Sequence, residues 1–302
     1  MSISNPRSEY FVRADAVTLI QGEDSLSVLD RMVSTNILDM PDLASRDALF
    51  CDYNGRICDY GTVYTISGKV LLISSAAHND ITRRTLVDGT SWDEDCEILI
   101  ADNAIFRISI FSTDPHDKFS ELGINFRATE ANQLIESGDH LFVKRESSFC
   151  DRLDILVKSD NINSIKSLLS GLDFVEMDSE RWEICRIMLG DPTIKDAFGN
   201  LPEEMGMGTL VSNDKGCYPG QEVHARIESR GRTVKNFCRL TGNSPLGVGK
   251  HSITDFGSIS VSSSISIGGI THALAMIRLG ESPTEVVHID GVDFSMELLS
   301  YP

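Results

Sequence analysis

The sequence predicts an α+β protein: a large mixed body followed by a small C-terminal β-barrel module. Three observations carry this prediction. Strand signals arrive in hairpins instead of alternating singly with helices. One amphipathic helical stretch, 179–189, stops at a glycine. Beyond residue 236 helix signals nearly vanish. The composition agrees, since 302 residues with 41% hydrophobic and 24% charged side chains, 23 Gly and 9 Pro describe an ordinary globular chain long enough for two domains. The expected division is a body over 1–236 and a β module over 237–302.

In chain order, Val17 to Ile20 reads as a strand. Asp24 or Ser25 then caps a helix whose apolar positions Leu29, Met32, Val33 and Ile37 lie near one face. Ala48 to Cys51 and Ile57 to Ile66 flank Asp52-Tyr53-Asn54-Gly55, where Asn-Gly signals a turn needing positive φ, and a second turn at Gly68-Lys69 leads into Val70 to Ser74. The result is a three-strand meander. His78 to Val87 reads as helical. Glu97 to Ile100 and Ile105 to Phe111 read as two strands joined at Asp102-Asn103. Leu153 to Val157 is another strand, before an amphipathic stretch through Leu168 and Leu169. Ser179 to Leu189 places Trp182, Cys185, Met188 and Leu189 on one side of a helix that ends at Gly190. The C-terminal strands are Asn236 to Thr241, Ser258 to Ile267 and His272 to Arg278; in the second, Ile259, Val261, Ile265 and Ile267 alternate with serine as one half-buried face.

Charge and cysteine usage exclude several classes. With 27 Lys plus Arg against 45 Asp plus Glu, the net charge is −18, a field that repels phosphate backbones, so no direct nucleic-acid partner is expected. Seven cysteines (51, 58, 96, 150, 185, 217 and 238) form neither a CxxC pair nor an even ladder, which points to reduced thiols and to no metal site. The first residues lack an apolar signal core, and the longest aliphatic run, Val70 to Ile73, is far too short for a membrane span. A cytoplasmic protein without a membrane partner is the expectation.

The stretch that carries chemistry is Lys215-Gly216-Cys217-Tyr218-Pro219-Gly220-Gln221-Glu222, followed by Val223-His224-Ala225-Arg226. Two glycines bracket a thiol and a phenol, so the backbone can turn sharply and approach a ligand, while Pro219 stiffens the loop. Gln221 to Ile227 reads as a short helix whose N-terminal amides favour a thiolate or an anion. From Lys215 to Arg239 six cations (Lys215, Arg226, Arg230, Arg232, Lys235, Arg239) face two acids, Glu222 and Glu228, a local excess suited to an anionic partner. Cys217, beside Lys215 and near a helix start, has the sequence setting of a depressed thiol pKa; nucleophile, redox thiol and cluster contact all stay open.

At every fixed position this octet resembles the KGCYxGQE signature of the YgfZ type of folate-binding protein. Further likeness lies in Asp52 to Asp59 as a strand-turn-strand element, Arg186 to Pro192 as a helix with its break, and Leu201-Pro202-Glu203-Glu204 as an LPxE segment. It spans nearly all of residues 15 to 300. The resemblance implies a fold similar to the T-protein of the glycine cleavage system, an aminomethyltransferase that uses tetrahydrofolate. It carries pterin binding to Glu204, whose carboxylate can accept two adjacent N–H donors. Where the aminomethyltransferases place two consecutive acids in the hairpin, this chain has Asp59-Tyr60, which puts aminomethyl transfer in doubt.

The function so implied is a tetrahydrofolate-binding accessory protein for iron–sulfur cluster assembly or repair, and indirectly for tRNA modification. Its partners would be tetrahydrofolate, or a one-carbon derivative, and iron–sulfur client or assembly proteins. The expected ligand set is Glu204, Lys215, Gly216, Tyr218, Gly220, Gln221, Glu222, Arg226 and Arg230, with Arg226 and Arg230 facing the glutamate tail and Cys217 at the mouth. The alternative is a folate-dependent aminomethyl- or methyltransferase using Asp59 in the same pocket.

Overall fold

The computed structural model describes residues 8–112, 115–120, 122–126, 129–145, 152–230, 233–253, 257–278 and 285–301, without the side chains of Pro115, His116 and Arg230. The chain begins with β1 (Glu9–Val12), β2 (Ala16–Gln21), α1 (Ser25–Asp30), β3 (Ala44–Cys51), β4 (Ile57–Ile66) and β5 (Lys69–Ser74). It continues through α2 (Asn79–Asp88), β6 (Glu97–Ile100), β7 (Ile105–Phe111), α3 (Pro115–Ser120), β8 (Leu134–Ser137), β9 (His140–Arg145) and β10 (Arg152–Lys158). Then come α4 (Ile162–Gly171), β11 (Val175–Glu176), α5 (Ser179–Leu189), α6 (Ile194–Ala197) and α7 (Gln221–Arg230). The last strands are β12 (Asn236–Gly242), β13 (Gly249–Ile253), β14 (Gly257–Ile267), β15 (Ile270–Ile277), β16 (Val286–Ile289) and β17 (Val292–Leu298).

Two sheets form the body. One has the order β11-β1-β7-β10-β9-β8, the other β3-β4-β5-β2-β6, and β12 to β17 close into a barrel. The predicted meander is β3-β4-β5. β6 and β7 are strands as expected but do not pair with each other: β6 joins β2 in one sheet and β7 joins β1 and β10 in the other, so the turn at Asn103, φ +62, crosses between sheets.

The period-2 alternation of the strands sorts residues into layers. Ile108, Ile110, Leu153, Ile155 and Val157 turn outward onto α3 and α4, and Val63, Val70 and Leu72 turn outward towards α1 and α2. The opposite faces meet in a seam between the sheets. Its apolar part is Val17, Tyr64, Leu71, Ile73, Leu134, Val143 and Leu156. The same faces also carry Asp47, Tyr60, Thr62, Arg107, Arg145 and Arg152, so the seam is greasy at one end and charged at the other.

α5 fits its sequence prediction: Asp178 accepts from the Arg181 N–H at 2.8 Å, and Gly190 closes the helix with φ +73. Unforeseen is Arg186, fully buried on that helix, which pairs with Glu183 and donates to Asp196 at 3.0 Å and Ser263 at 2.7 Å. α1 is shorter than predicted. It ends at Asp30, although Leu29, Met32, Val33 and Ile37 still share one core.

The half-buried face predicted for 258–267 is split. A bulge between Val261 and Ser263 leaves Ile259 and Val261 inside the barrel but turns Ile265 onto the body. The bulge serines bolt barrel to body: the Ser262 and Ser263 hydroxyls both donate to Asp196 Oδ1 at 2.6 Å. After β17 the chain returns to the body, where Leu299 N–H bonds Phe237 O, Tyr301 N–H bonds Gly206 O, and the Tyr301 hydroxyl donates to Asp47.

Candidate functional site

The glycine-flanked loop packs on the turn between β3 and β4. Asp52 builds that turn, its Oδ1 accepting from Asn54 N–H at 2.9 Å and Arg56 N–H at 2.8 Å, and Gly55 takes φ +71. Gly220, φ +85, presses against Gly55. The close approach expected of the loop glycines is thus made to the protein's own hairpin at Gly220, whereas Gly216 has open space around its Cα.

Lys215 points into the protein. Its ammonium turns inward and donates to the carbonyls of Asp30 (2.5 Å), Val33 (3.0 Å) and Thr35 (2.9 Å), and pairs with Asp30 Oδ1 at 2.9 Å. Burial lowers its pKa, opposed by Asp30. The same bonds account for the early end of α1, because carbonyls that would continue the helix are held by Lys215. Cys217 is exposed. The expectation that Lys215 activates it is corrected: the cation is spent elsewhere.

The remaining octet residues divide. Tyr218 is buried, with the Lys215 ammonium 5.5 Å from its ring centroid and the His224 ring stacked 6.1 Å away. Burial pushes its hydroxyl pKa up, and that hydroxyl has no hydrogen-bond partner. Gln221 makes a long bond from Nε2 to Lys215 O, 3.4 Å. Glu222 and Arg226 pair with each other on the exposed face of α7, which runs one turn further than predicted. The Arg230 side chain and all of Arg232 lie outside the described residues. Arg239 is engaged with Glu297 and Met188 O. Of the six cations in this run, Lys215 is thus buried, and Arg226 and Arg239 are paired.

The LPxE segment contributes two acids. Glu204 is buried and, among the described residues, accepts only from Leu201 N–H, at a weak 3.4 Å, which leaves most of its acceptor capacity unused by them. Glu203, which sequence reasoning passed over, holds His224: Nδ1 lies 3.0 Å from Glu203 Oε1. Glu203 Oε2 and His224 Nε2 are buried without partners among the described residues.

None of three cavities bounded by described residues counts Glu204 or any of 215–222 in its lining. The joint grip expected of Glu204 and the thiol loop is therefore absent from these cavities. The one at the charged end of the seam holds about 340 Å³ and is lined by Arg13, Arg107, Arg145, Arg152 and Lys195 against Asp15, Asp47 and Asp191, with Tyr60 and Tyr301 as its aromatic walls. Five cations over three acids leave it positive in a chain of −18. A second cavity of about 490 Å³ shares Asp47, Arg145 and Tyr301 with it. Burial pushes the Asp47 carboxyl up, but Arg145 beside it and bonds from Tyr301 and Thr62 hold it below the usual range. Beneath the lining, Asp154 is held low against burial by Arg152, Arg107 and Arg145, and its Oδ2 accepts no hydrogen bond.

Strand alternation decides which hairpin residue meets this cavity. Tyr60 does, its hydroxyl donating to Pro192 O; Asp59 faces α2, where it accepts from Thr82 Oγ1 at 2.5 Å and from Tyr60 N–H at 2.9 Å. Asp59 is fully buried, and burial raises its pKa to about 6. Cys51 and Cys58 are likewise pushed up by burial. Among the described residues no three His, Cys, Asp or Glu side chains are placed to hold a metal ion, and no helix is long and apolar enough to cross a membrane.

No family model matches the chain. Two curated relatives are called tRNA-modifying protein YgfZ. That of Vibrio atlanticus is 22% identical over 239 residues, covering 76% of this chain and 68% of its own length. That of Klebsiella pneumoniae is 22% identical over 241 residues, covering 75% and 69%. Among solved structures, the glycine cleavage system aminomethyltransferase T from Bartonella henselae superposes with a TM-score of 0.81 at 11% identity, over 99% of this chain and 86% of that one. The architecture above is that fold.

Proposed function

We propose, for a chain that belongs to the YgfZ/GcvT-like family, that it binds a reduced folate, tetrahydrofolate or a one-carbon derivative, without turning it over. In this reading it is an accessory protein that supports iron–sulfur cluster assembly or repair, and through cluster-containing enzymes tRNA modification. The observation that carries the reading is the positive cavity in the seam, which presents a phenol, Tyr60, at the hairpin position where the resembling transferases carry their second acid. Such a site can hold a flat heterocycle with a carboxylate tail but offers no cavity-facing base on that strand.

The residues present fit a folate. Tyr60 and Tyr301 supply aromatic walls, and Arg13 and Lys195, the latter exposed at the rim, supply charge for tail carboxylates. Glu204 lies outside the lining of this cavity, so its spare acceptor capacity marks the competing placement of the pterin. Calorimetric titration with tetrahydrofolate tests the reading. Binding is expected, weakened about tenfold or more by Arg13→Glu with Lys195→Glu. A flat titration of the wild-type protein overturns folate binding. Loss in Glu204→Gln alone, with the charge variants unaffected, overturns the seam as the tail site.

The transferase reading makes the opposite prediction. Incubation with tetrahydrofolate and amine or methyl donors would yield methylene- or methyl-folate, and such a product would replace the accessory role with a catalytic one. Exposed Cys217 is open to a client or a cluster. Full rescue of a deletion strain under oxidative stress by a Cys217→Ala copy would remove the thiol from the function.

A further inference from the structure

We propose that the open edge of β6, together with the turn that presents Trp92, docks an extended basic segment of another protein by strand addition. Sheet edges are normally covered, shortened or blunted by charge and proline. In the sheet containing β6, the opposite edge is covered: β3 is bridged through Phe50 to Val33 and through Ala44 to Gln133, and Ser34 N–H and Ser45 N–H bond Leu49 O and Asn132 O. β6 has no such cover among the described residues, and its Leu99 and Ile100 are exposed, Ile100 at 70%. The edge sequence Ile98-Leu99-Ile100 holds neither lysine nor proline.

Trp92 stands in the turn that leads into β6 and is 97% exposed, whereas the other tryptophan, Trp182, is buried. An indole so placed gains nothing from the fold. Its turn is nevertheless rigid. Glu94 accepts from Ser91 N–H at 2.7 Å and from Arg31 at 2.5 Å, and Asp95 is tied to Glu23 and Asp24 by bonds of 2.9 to 3.0 Å. Gly22 lies so close that a Cβ there would stand 2.1 Å from Asp95 O. A large aromatic held out on a braced turn is a ready anchor for a partner.

Charge fixes the occupant. From 88 to 97 the chain carries Asp88, Asp93, Glu94, Asp95 and Glu97 and no Lys or Arg. Arg31 offsets Glu94, but Asp88 and Asp93 have no ion pair among the described residues. A strand alternating Lys or Arg with aliphatic residues would complete the ladder, lay its apolar side chains beside Ile100 on one face of the sheet with Trp92 at the end of the edge, and bring its cations to the acids.

The probe is the peptide Lys-Val-Lys-Val-Lys-Val-Lys, titrated into the full chain while tryptophan emission is followed. The expected result is a saturable blue shift that Trp92→Phe removes. Affinity should fall at least about tenfold for the glutamate counterpart Glu-Val-Glu-Val-Glu-Val-Glu, for a peptide with central proline, and for Ile100→Glu. Tetrahydrofolate titration and melting temperature report whether the variants remain folded, so loss of peptide binding alone is informative. No shift at millimolar peptide, equal binding of the acidic peptide, or a homodimer that Ile100→Glu dissolves would each overturn the proposal, the last by giving the edge to a second copy.

Discussion

Gly55 and Gly220 meet backbone to backbone: a methyl group on Gly220 would stand 2.6 Å from Gly55 Cα and 2.7 Å from Asp52 O. The second glycine of the octet is therefore part of a joint between the thiol loop and the hairpin. On the other side of the joint, a Cβ on Gly55 would reach the His224 ring at 3.1 Å. Hairpin, loop and the Glu203–His224 pair are held as one unit.

Gly220→Ala combines a backbone clash with a positive φ, and we expect it to cost about 2–4 kcal/mol in urea unfolding. Gly216→Ala, where no atom lies within 4 Å of the new methyl, should change stability by no more than about 0.5 kcal/mol. Equal costs for the two would show that the joint does not exist.

Lys215→Met leaves the Asp30 carboxylate and three carbonyls in a buried site without their cation. A loss of about 3 kcal/mol is expected. Because the ammonium faces α1, the alkylation rate of Cys217 should stay within about twofold of wild type at every pH where the variant is folded. A marked fall in that rate would return Lys215 to the thiol.

Asp59 sets a stability slope of unusual sign. Its carboxyl rises from 3.8 to about 6 on folding, so the folded chain holds that proton more tightly. The contribution is complete below pH 3.8 and disappears as pH climbs through about 6, an upper figure near 3 kcal/mol. Asp59→Asn should flatten this dependence in melting curves taken between pH 4 and 7. An unchanged slope would locate the titration elsewhere.

The seam acids act in the reverse direction. Asp15, Asp47 and Asp154 are held below 3.8 by their arginines against the burial that pushes each up, so their stabilisation is present above that value and is lost as pH falls through the depressed ones. Asp154→Asn, which strips the shared counter-charge from Arg107, Arg145 and Arg152, is expected to lower stability by about 3–5 kcal/mol and to shift the acid unfolding midpoint upward. A variant as stable as wild type would mean that water already neutralises the cluster.

Local signals proved legible and distant ones did not. α5, with its capping Asp178 and terminal Gly190, follows from residues within a dozen positions, and the octet announces a special loop. Lys215 was misread because its partners lie about 180 residues upstream, and no spacing rule says which way an ammonium on a flexible stem will turn. The strands β6 and β7 were visible as strands, but pairing is nonlocal, so their division between two sheets was not. The charged seam is assembled from Arg13, Arg107, Arg145 and Arg152, which come from four different strands or strand ends. Only stacking of the sheets makes them neighbours. The bulge at Ser262 escaped notice because unbroken alternation continues on either side of it in the sequence.

Tyr301 has a further consequence. It belongs to the wall shared by two cavities, and it is held against Asp47 by a segment that follows β17 and is bonded along Phe237 and Gly206. The pocket wall thus depends on a contact between residues 254 positions apart. During vectorial synthesis that wall would stay open until residue 301 has emerged, a long-range closure of the kind that folds slowly. Lesions that fray the barrel should then register first as a leaking pocket, far from where they sit.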